Sequence, residues 1–464
     1  MKKILNYILV AAVVVFSSTG CSDYVGGDVN VSPNSATDAP VNSIITAAQT
    51  NLMGLFEGED ARMGAMWAQQ FTGFERQYLA YDEYVVSSEA FSWFQPYVGV
   101  IQPCNDALDR LATRTAVSST EGMLKIMKAM IFGNLAALYG DIPFTQANQP
   151  DEFPTPIYDS QTSVYAGLQS LLDDAISDLN AGGDVISFSD IIGNKSKSNW
   201  IKVANTLKAR FYLHTGDFAS AVTYANLGLQ PGDHGLVAEH GNVASGNVNL
   251  WWDFVFFSRS GYLTAYTGFL PKLLDADEAE YRGDAKTDET DRFDFYFTGD
   301  APGNYEPNIT DGGMFGQTSS YPILTGEENQ LILAEALMKI GAPDLSGALD
   351  ALNSVRDEHA NNYPGGTYDQ YVLTDFDPTG IAGDALKTQA EALLDEIIEE
   401  KYCTLIGTIE VFNDLRRLGN PFGLTPRGTG GAFPERFLIP TSEVNTNPNT
   451  PNPIPGLFSP TSVN

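Results

Sequence analysis

Positive charge is what this sequence has least of. Its 464 residues carry 26 Lys and Arg against 58 Asp and Glu, a formal net charge of −32. Such a surface has little with which to neutralise phosphates, which argues against nucleic acid as a partner. More weakly, it disfavours strongly anionic substrates unless a local basic patch exists. Cysteine is scarce as well, and three of them do not make a disulfide framework. Cys104 and Cys403 fall in apolar helical patterns and are expected to be buried free thiols. The four histidines (214, 234, 240 and 359) show no zinc-binding spacing, and neither a G-x-S-x-G elbow nor a P-loop is present. Paired carboxylates for glycoside cleavage have no distinguishing position among 58 acids. Long apolar runs are missing beyond the first twenty residues, so no further transmembrane helix is expected.

The N-terminus has its own grammar. Lys2 and Lys3 precede an apolar stretch from Ile8 to Phe16, too short for a stable span, and small residues then lead to Cys21. This is the layout of a lipoprotein signal, with residues 1–20 removed and Cys21 lipidated. Ser18 stands where a Leu is usual, and a plain secretory signal cut near Cys21 is the alternative. Residues 21–40, small, polar and Gly/Pro-bearing, read as a flexible tether. A single body follows over 41–464.

Within that body the helical period dominates. Ile44, Ile45, Ala48, Leu52 and Leu55 share one face, a second run covers Ala61–Gln70, and helices are predicted at 121–139 and 163–179. Phe71–Tyr97 is aromatic and aperiodic, a long loop feeding a helix at 93–105. Gly140 closes the 121–139 helix, where a left-handed cap is expected. Ala209, Tyr212, Gly216 and Ala221 match the offsets of a tetratricopeptide helix pair, and Ala336, Gly341, Ala348 and Leu352 repeat them loosely. Leu386, Ala390, Leu393, Ile397 and Leu405 form another apolar stripe, followed by a short helix at 410–417. The expected fold is mainly α: stacked helix pairs with long irregular loops carrying a few short strands. A Gly-, Asn- and Asp-rich insertion at about 231–322, crossed by a helix at 268–277, interrupts the scaffold.

Several phrases resemble one family in consistent order. They are Trp93, Tyr97, Ile101 and Asn105; the run Tyr139-Gly140-Asp141-Ile142-Pro143-Phe144; and Glu335 within a Leu-Ala-Glu-Ala-Leu helix. Thr290-Asp291-Arg292 follows, with Thr where Pro is usual. The closing segment adds Glu399, Glu400, Lys401, Phe412, Asn413, Asp414, Arg416, Arg417, Pro434, Arg436, Phe437, Pro440, Glu443, Asn445 and Asn447. Together they resemble the SusD/RagB lipoproteins of the outer-membrane surface. The resemblance implies a non-enzymatic protein that captures oligo- or polysaccharide and passes it to a SusC-like TonB-dependent transporter. Peptide binding, as in some members, stays open, as do a surface glycosidase and a purely structural partner of the transporter.

Sugars expose flat C–H faces ringed by hydroxyls, so their sites pair aromatic platforms with Asn, Asp, Gln and Arg. Burial against a ring contributes about 25 cal/mol per Å², and polar neighbours supply orientation. Two stretches fit. The first offers Arg76, Tyr78, Tyr81, Asp82 and Tyr84; the second offers Trp251, Trp252, Tyr262, Tyr266, Asn304, Tyr305 and Gln317. Any one of these rings could instead be core, and at most one of Trp251 and Trp252 faces out if they lie on a strand. Asp284, Asp288, Asp291, Asp294 and Asp300 could hold a structural calcium or simply form a solvated acidic loop; no other cofactor is implied. Arg416, Arg417 and Arg436 could form a phosphate- or acid-binding site, but buried salt bridges clamping the C-terminal segment are the expected role.

Overall fold

A computed structural model describes residues 39–463 except 184, 189, 193–195, 244, 245 and 300. Cys21, the signal and most of the tether therefore lie outside the described residues, as does Asp300.

Helices dominate. The N-terminal group holds α1 (Val41–Phe56), α2 (Glu59–Trp67), the short α3 (Arg76–Asp82), and a π-helical segment, Phe94–Ile101, that runs directly into α4 (Gln102–Leu111). Long helices α5 (Ser118–Tyr139) and α6 (Gln161–Ala181) then pack side by side, followed by the pair α7 (Lys197–His214) and α8 (Phe218–Ala225). The insertion carries α9 (Phe269–Leu274) and α10 (Thr290–Tyr296). Beyond it come α11 (Gly326–Lys339), α12 (Leu345–Asn362), α13 (Gln389–Thr404) and α14 (Glu410–Arg417). Each helix of the run α5-α6-α7-α8-α11 packs on the next, and α11 also contacts α12 and α13, giving the stacked helix pairs the sequence implies.

Local chemistry explains these pairs. Gly216 adopts φ +76° between α7 and α8, a turn that a side chain disfavours, and Asp217 caps α8 by accepting from the Ser220 amide at 3.1 Å. Ala209 and Ala221 are fully buried where α7 and α8 meet, and Ala336, Ala348 and Leu352 play the same part for α11 and α12. These small residues belong to a core shared by α7, α8, α11, α12 and α13; a larger core gathers the N-terminal helices, α5, α6, the insertion and α14.

Three expectations need correction. Leu386 is 94% exposed, because α13 starts only at Gln389. Its start is fixed by a capping box, in which the Thr388 hydroxyl accepts from the Glu391 amide and the Glu391 carboxylate accepts from the Thr388 amide. Gly140 has φ +79° as expected, but its ψ of −118° lies outside the left-handed helical region. The stretch 71–97 is more ordered than a loop, holding α3, a 3₁₀ turn at Ser88–Ala90 and the start of the π segment.

The strands are short and work as staples. Within the insertion, β2 (Leu236–Ala238) pairs antiparallel with β7 (Tyr321–Leu324) and closes its neck. The hairpin of β5 (Phe297–Thr298) and β6 (Glu306–Pro307) is internal, while β4 (Thr287–Asp288) reaches out to β8 (Thr367–Tyr368). The remaining pair, β1 (Thr72–Gly73) with β3 (Leu263–Thr264), sets Thr72 against Thr264 and ties the insertion to the N-terminal loop.

Buried charge fixes the insertion and the C-terminal segment to the scaffold. Arg282, from the insertion, meets Glu289 at 2.5 Å, Glu396 and Glu400 at 2.7 Å and Glu399 at 2.9 Å; Arg292 and His359 both reach Glu400 at 2.9 Å. Burial works to raise the Glu400 carboxyl, yet Arg292, Arg282 and His359 together hold it well below the usual carboxylate range. Lys401 bonds Asp414 at 2.9 Å and Glu335 at 3.3 Å, and Arg417 binds Glu335 through both guanidinium arms. Of the three arginines expected in salt bridges, only Arg417 makes them among the described residues. Arg416 instead donates to the carbonyls of Glu435 (2.6 Å) and Ala137 (3.0 Å) and to Asn413. Burial lowers it to about 10, against the opposing pull of Tyr165, Glu435 and Glu410. Arg436 is also lowered by burial; its Nη atoms lie beside Gly140, and its Nε has no hydrogen-bond partner among the described residues.

Cys104 and Cys403 are buried free thiols, and burial raises both. No helix among the described residues is long and apolar enough to cross a membrane.

Candidate ligand-binding face

The β1–β3 staple brings the two aromatic stretches together. Beyond the paired residues the Phe74 amide donates to the Tyr262 carbonyl at 2.8 Å, so the start of α3 lies beside the turn 259–262. Upstream of that turn, Asn249 caps a helical turn (Leu250–Trp252) by accepting from the Trp251 and Trp252 amides, and a second π segment, Asp253–Ser258, continues it. The wider π turn is a rare backbone form, frequent at functional sites. Here it places consecutive rings outward: Phe256 is 57% exposed and Phe257 58%, while Phe254 and Val255 are buried.

Five of the sequence-predicted residues share this face: Arg76, Trp252, Tyr262, Tyr266 and Asn304. Trp252 is half-buried with its ring 4.9 Å from Phe256. Tyr262 is half-buried with two exposed guanidiniums near its ring, Arg76 at 6.0 Å and Arg259 at 5.9 Å. Tyr266 is half-buried and stands edge-to-face with Phe74, at 5.1 Å. Its hydroxyl hydrogen-bonds Glu306, which raises the phenol, and burial with that bond partly opposing it leaves Glu306 raised too. Asn304 is exposed on the β5–β6 hairpin, next to Tyr305, whose carbonyl accepts from the Ala265 amide.

The others lie beneath or away from the face. Tyr78 is buried, ring to ring with Phe254 at 4.7 Å; its hydroxyl accepts from Arg62 Nε at 3.1 Å, and burial pushes it up to about 12. Trp251 is fully buried between Phe71 and Phe315, both at 4.8 Å. The inward–outward split of Trp251 and Trp252 thus holds, though on a helical turn rather than a strand. Tyr305 is buried and donates to Asp275 and Glu278. Asp82 and Tyr84 are buried against Arg427: the carboxylate pairs with its guanidinium, and the Tyr84 hydroxyl accepts from its amide at 3.2 Å. Tyr81 is half-buried over Tyr78, and Gln317 uses its carbonyl to accept from the Asn249 amide. These rings support the face instead of presenting surface.

Sequence reasoning missed Phe74 (47% exposed), Phe256, Phe257 and Arg259. The run Phe254-Val255-Phe256-Phe257 gives no periodic signal for which ring turns out, since that depends on the π backbone.

Other chemistry is dispersed. Among the described residues no group of three or more His, Cys, Asp or Glu is placed to hold a metal. Asp284 accepts from the Tyr371 hydroxyl and Asp291 from the Gly365 amide, tying the insertion to the 365–371 stretch, while Asp288 accepts from Thr290 in a local turn. His214, His240 and His359 each bond a buried or nearly buried glutamate: Glu410, Glu57 and Glu400. An open groove of about 630 Å³ between α4, α5 and α6 is lined by Gln102, Asn105, Lys128, Phe144, Asn148 and Asp174, among others, and shares no lining residue with the aromatic face.

Residues 33–227 match a SusD-like family model, described as starch-binding and associating with the outer membrane. No curated protein matches the chain. A SusD/RagB family protein from Bacteroides thetaiotaomicron superposes with a TM-score of 0.65 at 19% identity, covering 89% of this chain and 95% of its own. A SusD homologue from Bacteroides vulgatus gives 0.67 at 15% identity, over 88% and 93%. A chitin-binding protein gives 0.63 at 19% identity, over 88% and 95%. The family model thus matches the N-terminal part of the chain, and over most of its length the chain shares the helical fold of these SusD-like structures.

Proposed function

We propose that this protein is a glycan-binding lipoprotein of the outer-membrane surface that captures oligo- or polysaccharide and hands it to a SusC-like TonB-dependent transporter. The observation that carries the reading is the single face on which the β1–β3 pairing assembles Phe74, Trp252, Phe256, Phe257, Tyr262 and Tyr266. Rings left in water on a folded body are costly unless a partner covers them, and the apolar faces of pyranose rings are such partners. Arg76, Arg259, Asn304 and Glu306 at the edges can donate to and accept from sugar hydroxyls. Glycan is held there without bond cleavage. The family model supports the class of ligand and the membrane association. Lipid at Cys21 and the tether to residue 40 would let the body swing over a transporter mouth.

Affinity electrophoresis through gels containing starch, chitin derivatives and plant polysaccharides tests the reading. Retardation by at least one, lost on Trp252→Ala with Phe256→Ala, is the expected result. Binding to peptides with no retardation by any glycan would sink it, and new reducing ends after incubation with a bound glycan would replace it with an enzyme.

A further inference from the structure

Cations are few in this chain, and most buried guanidiniums are already engaged by carboxylates. Arg210 holds Glu328, Arg282 and Arg292 hold Glu400, Arg417 holds Glu335 and Arg427 holds Asp82. Arg76 and Arg259 differ. Both are exposed, neither makes an ion pair among the described residues, and both approach the same ring, Tyr262. Arg259 donates from Nη1 to the Ser258 carbonyl at 2.9 Å, which leaves most of its donor fork facing solvent. Arg76 sits at φ +53°, a left-handed conformation that a non-glycine residue adopts only when its surroundings impose it. A third guanidinium lies directly underneath, where Arg62 stacks on Phe254 at 4.2 Å and donates to Tyr78.

The face therefore gathers guanidiniums free of ion pairs on a chain that is strongly anionic overall. Its acids are Glu75 beside Arg76, Glu306 on the Tyr266 hydroxyl, Asp253 at the head of the π segment and Glu59 near Tyr81, and among the described residues none ion-pairs with these arginines. Guanidinium forks match planar carboxylates through two parallel hydrogen bonds, and the flanking rings stack on sugar faces. A densely sulfated polymer would meet the repulsion of the remaining surface; a chain with one carboxylate per sugar would meet less.

We infer that this face selects glycans bearing carboxylates, with Arg76 and Arg259 gripping a uronic-acid carboxylate while Trp252, Phe256 and Tyr262 stack on the sugar rings. The inference rests on the glycan-binding reading. Its test compares polygalacturonate, alginate and glucuronoxylan with carboxyl-reduced forms of the same polymers, in affinity gels run with the full chain. At least one acidic form should retard the protein, and carboxyl reduction should weaken that binding about tenfold, the fold-change expected for losing one charge-assisted contact. Arg76→Ala with Arg259→Ala should weaken binding to the acidic form by a similar factor, bring acidic and reduced forms level, and leave the melting temperature unchanged. Raising the salt concentration should weaken only the wild-type preference. Equal retardation by acidic and reduced forms, binding to neutral glycans alone, or undiminished preference in the double variant overturns this inference and leaves the glycan reading standing. Binding to polyglutamate with no polysaccharide bound overturns both.

Discussion

Arg417 grips Glu335 through two hydrogen bonds of 2.6 and 2.8 Å, across 82 residues of sequence. The carboxylate is fully buried and the guanidinium nearly so, and Lys401 and Lys339 complete the shell. The pair fastens α14 to α11. Removing one partner strands a charge in the interior, so Arg417→Ala should cost about 3–5 kcal/mol of stability. Replacing both partners with leucine should cost less than the single change. Guanidinium unfolding midpoints of the three proteins check the order.

The exposed and buried rings make opposite predictions. Phe256→Ser with Phe257→Ser removes rings that are 57% and 58% exposed, so stability should change little while glycan retardation falls. Trp251→Ala empties a fully buried site between Phe71 and Phe315 and should cost about 3–5 kcal/mol. Thermal melts run beside affinity gels separate the two effects.

Asp60, in the first turn of α2, has its carboxyl raised to about 7, chiefly by burial and secondarily by Glu59, with Arg62 opposing. An acid whose folded pKa lies above its unfolded value of about 3.9 favours the folded state while protonated. That contribution disappears as pH rises through about 7. Asp60→Asn should therefore resemble the wild type near pH 4 and become progressively more stable than it up to pH 8. By linkage the gain is on the order of a few kcal/mol at most. Denaturation midpoints at pH 4, 6 and 8 give the comparison; a constant difference would contradict it.

Cys21→Ala should release the protein from membranes into the aqueous phase of a detergent partition, since no described helix can anchor it. Continued membrane attachment would overturn the lipid-anchor reading.

How much of this was legible in the sequence depended on the length scale of the signal. Long helices declared themselves because burial on one face repeats every three or four residues, as from Ile44 to Leu55. The 410–417 helix was placed to the residue by its bounding Gly419. Leu386 misled because an apolar residue in phase with a helix says nothing about where the cap falls, and Thr388 with Glu391 decides that. At the face, the sequence marked both stretches but could not order their rings. Tyr78 and Trp251 went inside through contacts with residues far along the chain, which no local window contains, and Phe257 turned out through the π backbone.

The two-residue staple of β1 and β3 has one more consequence. It divides the face between two parts of the gene: Phe74 and Arg76 lie within the recognisable family segment, 33–227, while Trp252, Phe256, Phe257, Arg259, Tyr262 and Tyr266 lie past its end. Recognisable ancestry and most of the candidate contact chemistry thus reside on different stretches. The insertion can change the candidate contacts while the stretch that carries the likeness stays the same, and a fragment ending at 227 would keep that likeness and lose most of the face.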